Sequence, residues 1–195
     1  MIYCLISIQE LDLQLFQFVN GDLSNIAFDY LMPALREKLV WLPFYCYLLV
    51  FVFVNFRWST ALIFILSMAI TVGISDIASS RLIKQNVERL RPCNDPDIRD
   101  QVLLRVRCGS GYSFTSSHAA NHFALVFFFI YTLGRLFKKL RWPLVCWAVL
   151  ISFAQIYVGV HYPMDVLFGA LLGACIGMLV AVTYNNFISD SIYQN

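Results

Sequence analysis

Five charge-free windows punctuate the chain, at 39–56, 58–75, 119–134, 142–160 and 166–184. A hydrocarbon core roughly 30 Å thick needs about 20 mainly apolar residues in a helix. Four windows meet this. The 119–134 window is short and must borrow residues from the polar segment before it. The pattern predicts five spans, with 39–184 forming one core. Upstream the pattern changes. Between Ile8 and Asn20 a 3.6-residue period sets Ile8, Leu11, Leu15, Phe18 and Val19 on one arc. Gln9, Glu10, Gln14, Gln17 and Asn20 lie on the other, and Leu13 and Phe16 break the alternation. This predicts an amphipathic helix lying in the membrane interface. A sixth span would bury Glu10 and Asp12 in lipid, at high cost. Asn20-Gly21-Asp22 reads as a turn, and 25–38 as a second short interfacial helix. Residues 1–38 are therefore the interfacial part of a single membrane domain, 1–195.

Composition sharpens the picture. Of 195 residues, 59% are hydrophobic and 13% charged, where a soluble domain carries about a quarter charged. The chain is predicted to be an all-α integral membrane protein. A formal net charge of only +2 implies no polyanion partner, and no basic stripe with interleaved aromatics marks a nucleic-acid surface. The first eight residues lack the basic flank and small-residue site of a cleaved signal peptide. No linker, low-complexity tract or repeat divides the chain, and no obligate protein partner is evident. A transporter or channel would want polar residues within several spans, and only Asn121 and His122 qualify.

The longest polar segment, 76–118, holds seven cations and five acids, and the 135–141 loop holds Arg135, Lys138, Lys139 and Arg141 with no acid. One span separates them, so they lie on opposite sides. The compact cluster is the usual cytoplasmic signal, which places the long loop outside.

Three segments at span edges carry the chemistry. His161 lies just before a helix that Pro163 is suited to start. Asp165, in its first turn, can reach back to one imidazole nitrogen, fix the tautomer and leave the other free to attack phosphorus. Taken alone, the pair also fits a capping His and an acid favoured by the helix dipole. Ser116, Ser117 and His118 open the third span, where free backbone N–H groups welcome an anion; an ordinary Ser N-cap is the plainer alternative. Lys84 and Arg91, after the second span, are cations of the kind that grip phosphate, or solvated loop charges. Arg81, Arg89, Arg99, Arg105 and Arg107 read mostly as solvated. Span counting puts all three segments on one face of the membrane.

In order, spacing and side these segments resemble the type 2 phosphatidic acid phosphatase superfamily of membrane lipid phosphatases, over roughly residues 84–169. Lys84-x6-Arg91-Pro92 matches the first motif. Thr115-Ser116-Ser117-His118 stands where the family usually has Pro-Ser-Gly-His. His161-x3-Asp165 matches the third motif. The resemblance implies a reaction without metal or other cofactor. His161 would form a phosphohistidine and Asp165 would orient it. His118 would protonate the leaving group and then activate water. Lys84, Arg91, Ser116 and the backbone around Ser117 would hold the phosphate. One departure matters: Ala154-Gln155 stands where the family has Ser-Arg, and a glutamine brings no charge. Gln155 is expected in the same pocket, with Arg107 or Arg89 approaching to make up the charge.

Cys46, Cys146 and Cys175 lie in spans as small hydrophobes, and Cys4 is near the amino end. Cys93 and Cys108 bracket the variable part of the long loop. In an oxidising compartment they would form a disulfide; two free thiols are the alternative.

By resemblance, the expected substrate is a lipid phosphate or diphosphate held in the bilayer, first of all undecaprenyl diphosphate. Lipid A phosphate, phosphatidylglycerol phosphate and a weakly active, lipid-phosphate-binding role are the alternatives. The expected location is a bacterial inner membrane, with the site facing the periplasm or outside.

Overall fold

A computed structural model describes residues 7–134 and 136–193; Cys4 and Arg135 lie outside them. The described residues form helices and connections with no strand. Helix α1 (Ile8–Gln17) opens on a reciprocal cap, in which Ser7 Oγ accepts from Glu10 N at 3.1 Å and Glu10 Oε2 from Ser7 N at 2.7 Å. Helix α2 (Ile26–Arg36) is capped by Asn25, whose Oδ1 accepts from Phe28 N at 3.0 Å. Such caps satisfy N–H groups that the first turn leaves without a helical partner. The apolar helices are α3 (Leu42–Asn55), α4 (Trp58–Asp76), α6 (Ser117–Thr132), α7 (Arg141–Tyr157) and α8 (Pro163–Tyr193).

Among the described residues four helical segments, Lys38–Asn55, Trp58–Asn94, Lys138–Tyr157 and Pro163–Ile188, are long and apolar enough to cross a membrane. Helix α6 has 16 residues, about 24 Å of helix, and borrows only Ser117 and His118 from the preceding segment. It lies inside the bundle, packed on α4, α7 and α8, so its neighbours rather than lipid cover much of its surface. The polar segment expected from residue 76 onward begins as helix. Past Asp76 the chain continues through wide π-type turns, Ile77–Ile83, into the short α5 (Lys84–Val87). No Gly or Pro interrupts it there. Glu88, in the left-handed region at φ 52°, ends it. Lys84 is thus carried on a helical extension of α4.

The closest packing in the bundle is between α6 and α8. Gly169, Gly173 and Gly177 recur every fourth residue and so share one face of α8. A Cβ on each would lie 2.5 Å from Ser116 O, 2.0 Å from Ala120 O and 2.3 Å from Ala124 O. Small residues on both sides let the backbones touch, the usual way for helices to associate where lipid removes the hydrophobic drive. Toward the other end Phe64 and Phe128 pack 5.3 Å apart, each with Tyr184 at 5.8 Å. Helix α3 buries only Val52 and turns most of its apolar side chains outward.

Helices α1 and α2 cover the end where α4 finishes, α6 and α8 begin and α7 finishes. The apolar arc of α1 stays outward, with Ile8 72% and Phe18 50% exposed. The inward face of α1 and of the π-type turns that continue it, Phe18–Asp22, is Asp12, Phe16 and Asn20, each 2% exposed. The pattern-breaking Phe16 packs on Tyr162, ring centroids 5.5 Å apart. Asn20, expected on the water-facing arc, is instead buried. Its amide donates to Leu103 O at 2.9 Å and Tyr157 O at 2.8 Å, and its Oδ1 accepts from Leu103 N at 2.9 Å. Backbone groups of the long loop and of the end of α7 replace the water it loses.

Candidate functional site

The turn from α7 into α8 sets the centre. Gly159 takes φ +86°, and a Cβ there would lie 2.7 Å from Val102 Cγ1, so only glycine fits between the turn and the long loop. Two residues on, His161 is 2% exposed; Asp165, in the first turn of α8, is fully buried. Asp165 Oδ2 accepts from Tyr162 N at 2.9 Å and from the Ser113 hydroxyl. His161 Nδ1 lies 3.2 Å from Ser113 Oγ and 3.5 Å from Asp165 Oδ2.

These contacts assign the tautomer. Ser113 uses its only hydrogen on Asp165, so its oxygen accepts from His161, which puts the imidazole proton on Nδ1. Nε2 is then bare and takes a hydrogen bond from Arg91 Nη1 at 3.1 Å. Burial pushes the imidazole down to about 4, with the Asp165 hydrogen bond opposing and the Arg91 charge assisting. At neutral pH His161 is an uncharged, oriented base with its lone pair aimed at a guanidinium. Arg91 is itself positioned by Val160 O at 3.1 Å and Gly111 O at 3.3 Å. Lys84 lies within electrostatic reach of Arg91, Asp165 and Asp76.

Ser116 caps α6, its Oγ accepting from Ala119 N at 3.4 Å, and its own N donates to Asp165 O at 2.9 Å. That bond ties the second segment to the third. Ser117 Oγ accepts from Ser79 Oγ at 3.0 Å. His118 is half-buried and within electrostatic reach of His161. One turn on, His122 Nδ1 bonds His118 O at 2.8 Å and its ring packs 5.0 Å from Trp147. Asn121 Nδ2 donates to Asp76 Oδ1 at 3.2 Å, linking α6 to α4. Gln155 is fully buried, and neither its Nε2 nor its Oε1 has a hydrogen-bond partner among the described residues.

Two arginines read as solvated are not. Arg89 reaches the centre, bonding Asp165 Oδ1 at 2.9 Å and Asp12 Oδ2 at 2.6 Å, and its guanidinium lies 3.9 Å from the centroid of the Tyr162 ring. Bound by two carboxylates, it adds no free positive charge. Arg105 pairs with Asp29 of α2, donates to Asn20 O, Leu103 O and Tyr157 O, and stacks 4.1 Å over the Tyr157 ring. The Tyr157 hydroxyl and Arg105 hold the Asp29 carboxyl below its usual range. Arg107 is exposed and has no hydrogen bond or ion pair among the described residues. Of the two cations expected to offset Gln155, Arg107 stays away and Arg89 arrives already neutralised. Cys93 and Cys108 are bonded, with Cα atoms 6.1 Å apart, which closes the loop between Arg91 and Ser113.

Sequence reasoning missed Ser113 and Asp12. Asp12 Oδ1 accepts from Met164 N at 2.8 Å, satisfying an open N–H at the start of α8. A carboxylate inside the period of an amphipathic helix was its only signal. Ser113 sits in a Gly/Ser/Tyr-rich stretch with no signal at all.

The sequence profile of the PAP2 superfamily matches residues 60–189. The chain is 37% identical over 177 residues to a lipid A 4'-phosphatase of Bacteroides thetaiotaomicron, covering 88% of this chain and 76% of that one. It is 31% identical over 172 residues to an undecaprenyl-diphosphatase of Sulfolobus acidocaldarius, covering 86% and 76% respectively. The fold is similar to the crystal structure of a PAP2-type phosphatidylglycerolphosphate phosphatase from Bacillus subtilis, with TM-score 0.69, 20% identity, and 93% of this chain and 87% of that one covered.

Proposed function

The chain belongs to the PAP2 superfamily and is a membrane lipid phosphatase; from that premise we propose that it hydrolyses a phosphate monoester of a lipid A-type glycolipid, through a phosphohistidine on His161. The observation that carries the mechanism is the bare Nε2 of a buried, neutral His161, oriented by Ser113 and Asp165 and facing Arg91. On binding, the substrate phosphate draws the Arg91 guanidinium onto its oxygens and frees the lone pair. Nε2 then forms a bond to phosphorus as the bond to the lipid oxygen breaks. His118 gives that oxygen a proton; the phosphate dianion beside it favours its protonated form. His118 next takes a proton from water, which attacks the phosphohistidine and releases inorganic phosphate. Lys84, Arg91 and the open N–H groups at the start of α6 hold the oxygens, with the hydroxyls of Ser116 and Ser117 beside them.

The substrate reading leans on the 37% identity to a lipid A 4'-phosphatase, and it moves the expectation away from undecaprenyl diphosphate. The latter is the second reading, favoured by the 31% identity to an undecaprenyl-diphosphatase. Either lipid keeps its chains in the bilayer. An apolar cleft of about 340 Å³, lined by Trp41, Phe44, Leu48, Phe51, Phe129 and Trp147 among others, starts beside His122 and gives such chains a surface. The basic Lys138–Arg141 end is assigned to the cytoplasm, so the site faces outward.

The test is phosphate release by the purified protein in detergent, with EDTA present, from lipid A, undecaprenyl diphosphate and phosphatidylglycerol phosphate. Lipid A should be hydrolysed fastest, and His161→Ala should fold but release nothing. Faster release from undecaprenyl diphosphate would move the assignment to the second reading. Near-normal release by His161→Ala would remove the phosphohistidine.

A further inference from the structure

The cations at the site end fall into two groups. Arg89 has Asp12 and Asp165, and Arg105 has Asp29. Arg91, Lys84, Arg36 and Lys38, the last two both within electrostatic reach of His118, have no ion pair among the described residues. Arg36 is the last residue of α2 and is half-buried. Its neighbour Glu37, whose carboxylate accepts from Lys38 N at 3.2 Å, lies within electrostatic reach but makes no ion pair with it among the described residues.

Packing fixes where Arg36 lies. Met32, one turn earlier and so on the same face, is 2% exposed and packs with Ala154, Tyr157, Val158 and Val160; Leu35 joins the same cluster. Leu35 O accepts from Trp41 Nε1 at 2.6 Å, and Trp41 packs 5.4 Å from Trp147. The end of α2 is thereby pinned over the last turn of α7, which holds Gln155, and beside the turn that carries His161. The guanidinium is near enough to Arg91 and to His118 for their like charges to repel.

Unpaired like charges gathered in a partly desolvated place are unfavourable unless an anion joins them. Here the groups that feel the Arg36 charge are His118, at the start of α6, and Arg91, which bonds His161 Nε2. Gln155, fully buried in the last turn of α7 with both amide atoms unbonded among the described residues, is a second polar group wanting a partner.

We propose that Arg36 is a phosphate-binding residue, which reaches the substrate's phosphoryl oxygens from α2, together with Arg91 and Lys84, and supplies the charge that Gln155 lacks. This rests on the phosphatase reading and deepens it. It also gives α2 a role in the reaction: the helix carries one arm of the phosphate clamp from outside the segment that the family profile covers.

The test uses inorganic phosphate on the detergent-solubilised protein, followed by phosphorus NMR line broadening, with lipid turnover measured alongside. Arg36→Gln should weaken phosphate binding at least about tenfold and lower kcat/KM on the order of a hundredfold, the scale for losing one charge-stabilising donor. Arg36→Lys should keep part of both, because a point charge replaces the fork. Adding Gln155→Arg to Arg36→Gln should recover binding. Wild-type phosphate affinity in Arg36→Gln would overturn the proposal; so would a wild-type protein that binds no phosphate. The phosphatase reading falls only if wild-type protein releases no phosphate from any of the lipids, or if His161→Ala still does. Should Arg36→Gln fail to fold, the wild type decides: saturating phosphate should protect Arg36 from phenylglyoxal, and labelling of Arg36 that phosphate leaves unchanged would overturn the proposal.

Discussion

Replacing Gly173 with alanine tests whether the α6–α8 seam holds the site together. The added Cβ would sit 2.0 Å from Ala120 O, and ordinary contact begins near 3.4 Å. If neither helix bends, they must part by about 1.4 Å, an overpacking change of the kind that costs about 1–3 kcal/mol. Ala120 is one turn from Ser116, and Gly173 two turns from Asp165. The Ser116 N to Asp165 O bond, now 2.9 Å, would stretch to about 4 Å and cease to be a hydrogen bond. His118 and the start of α6 would move away from His161 by a similar amount, and misplacement of about 1 Å can lower a rate roughly a hundredfold. Phosphate release and thermal unfolding in detergent read both effects. The control is Gly73→Ala in α4, where nothing lies within 4 Å of the new Cβ. It should leave turnover unchanged and stabilise the helix by up to about 1 kcal/mol. Wild-type turnover and melting temperature in Gly173→Ala would refute the reasoning.

Three further outcomes follow from the geometry. His118→Ala should be nearly inactive on a lipid phosphate but milder on an activated aryl phosphate, whose leaving group needs little protonation; equal losses on both would contradict the acid role. Ser113→Ala leaves the Nδ1 proton only Asp165 at 3.5 Å, so kcat should fall about tenfold with KM nearly unchanged, and an unaltered kcat would show that the hydroxyl does not orient the ring. The third concerns pH. Because the folded pKa of His161 is depressed to about 4, its stability contribution is intact above the unfolded value near 6.5 and is lost as pH falls from there through about 4. Acid should therefore lower the melting temperature of wild type more than that of His161→Ala across this window, and the acid limb of kcat/KM should lie well below 6.5; a limb at 6.5 would mean an exposed imidazole.

The membrane helices were legible because a charge-free window of the right length has few other uses. The three segments were legible because His161, Asp165, Ser116, Lys84 and Arg91 sit at window edges, where span order alone puts them on one face. The rest depended on tertiary contacts. Ile8, Phe18, Gln9 and Gln14 are all exposed, and a helix period carries no sign of which polar residue a neighbour will satisfy. Asn20 looked solvated until Leu103 and Tyr157, about 80 and 140 positions away, supplied its partners. Arg89 and Arg105 looked like loop charges for the same reason. The helical run to Val87 was hidden because polar composition suggests a loop, whereas only Gly, Pro or a strained residue such as Glu88 stops a helix that neighbours already support.

The link from Asp12 through Arg89 to Asp165 also bears on how the chain is made. Asp12 belongs to α1, made well before α8, which supplies Met164 N to it and Asp165 to Arg89. Until α8 enters the bilayer, the Asp12 carboxylate needs water, and α1 is held at the surface rather than drawn into lipid. Arg89, made in between, can take Asp12 as a temporary partner. Only α8 supplies the N–H of Met164 and the second carboxylate, and with them comes the Tyr162 ring on which Phe16 packs. The site is therefore complete only when α1 and α8 are both in place, and a nascent chain halted before α8 holds an arginine and an aspartate that lack the carboxylate and the N–H of α8.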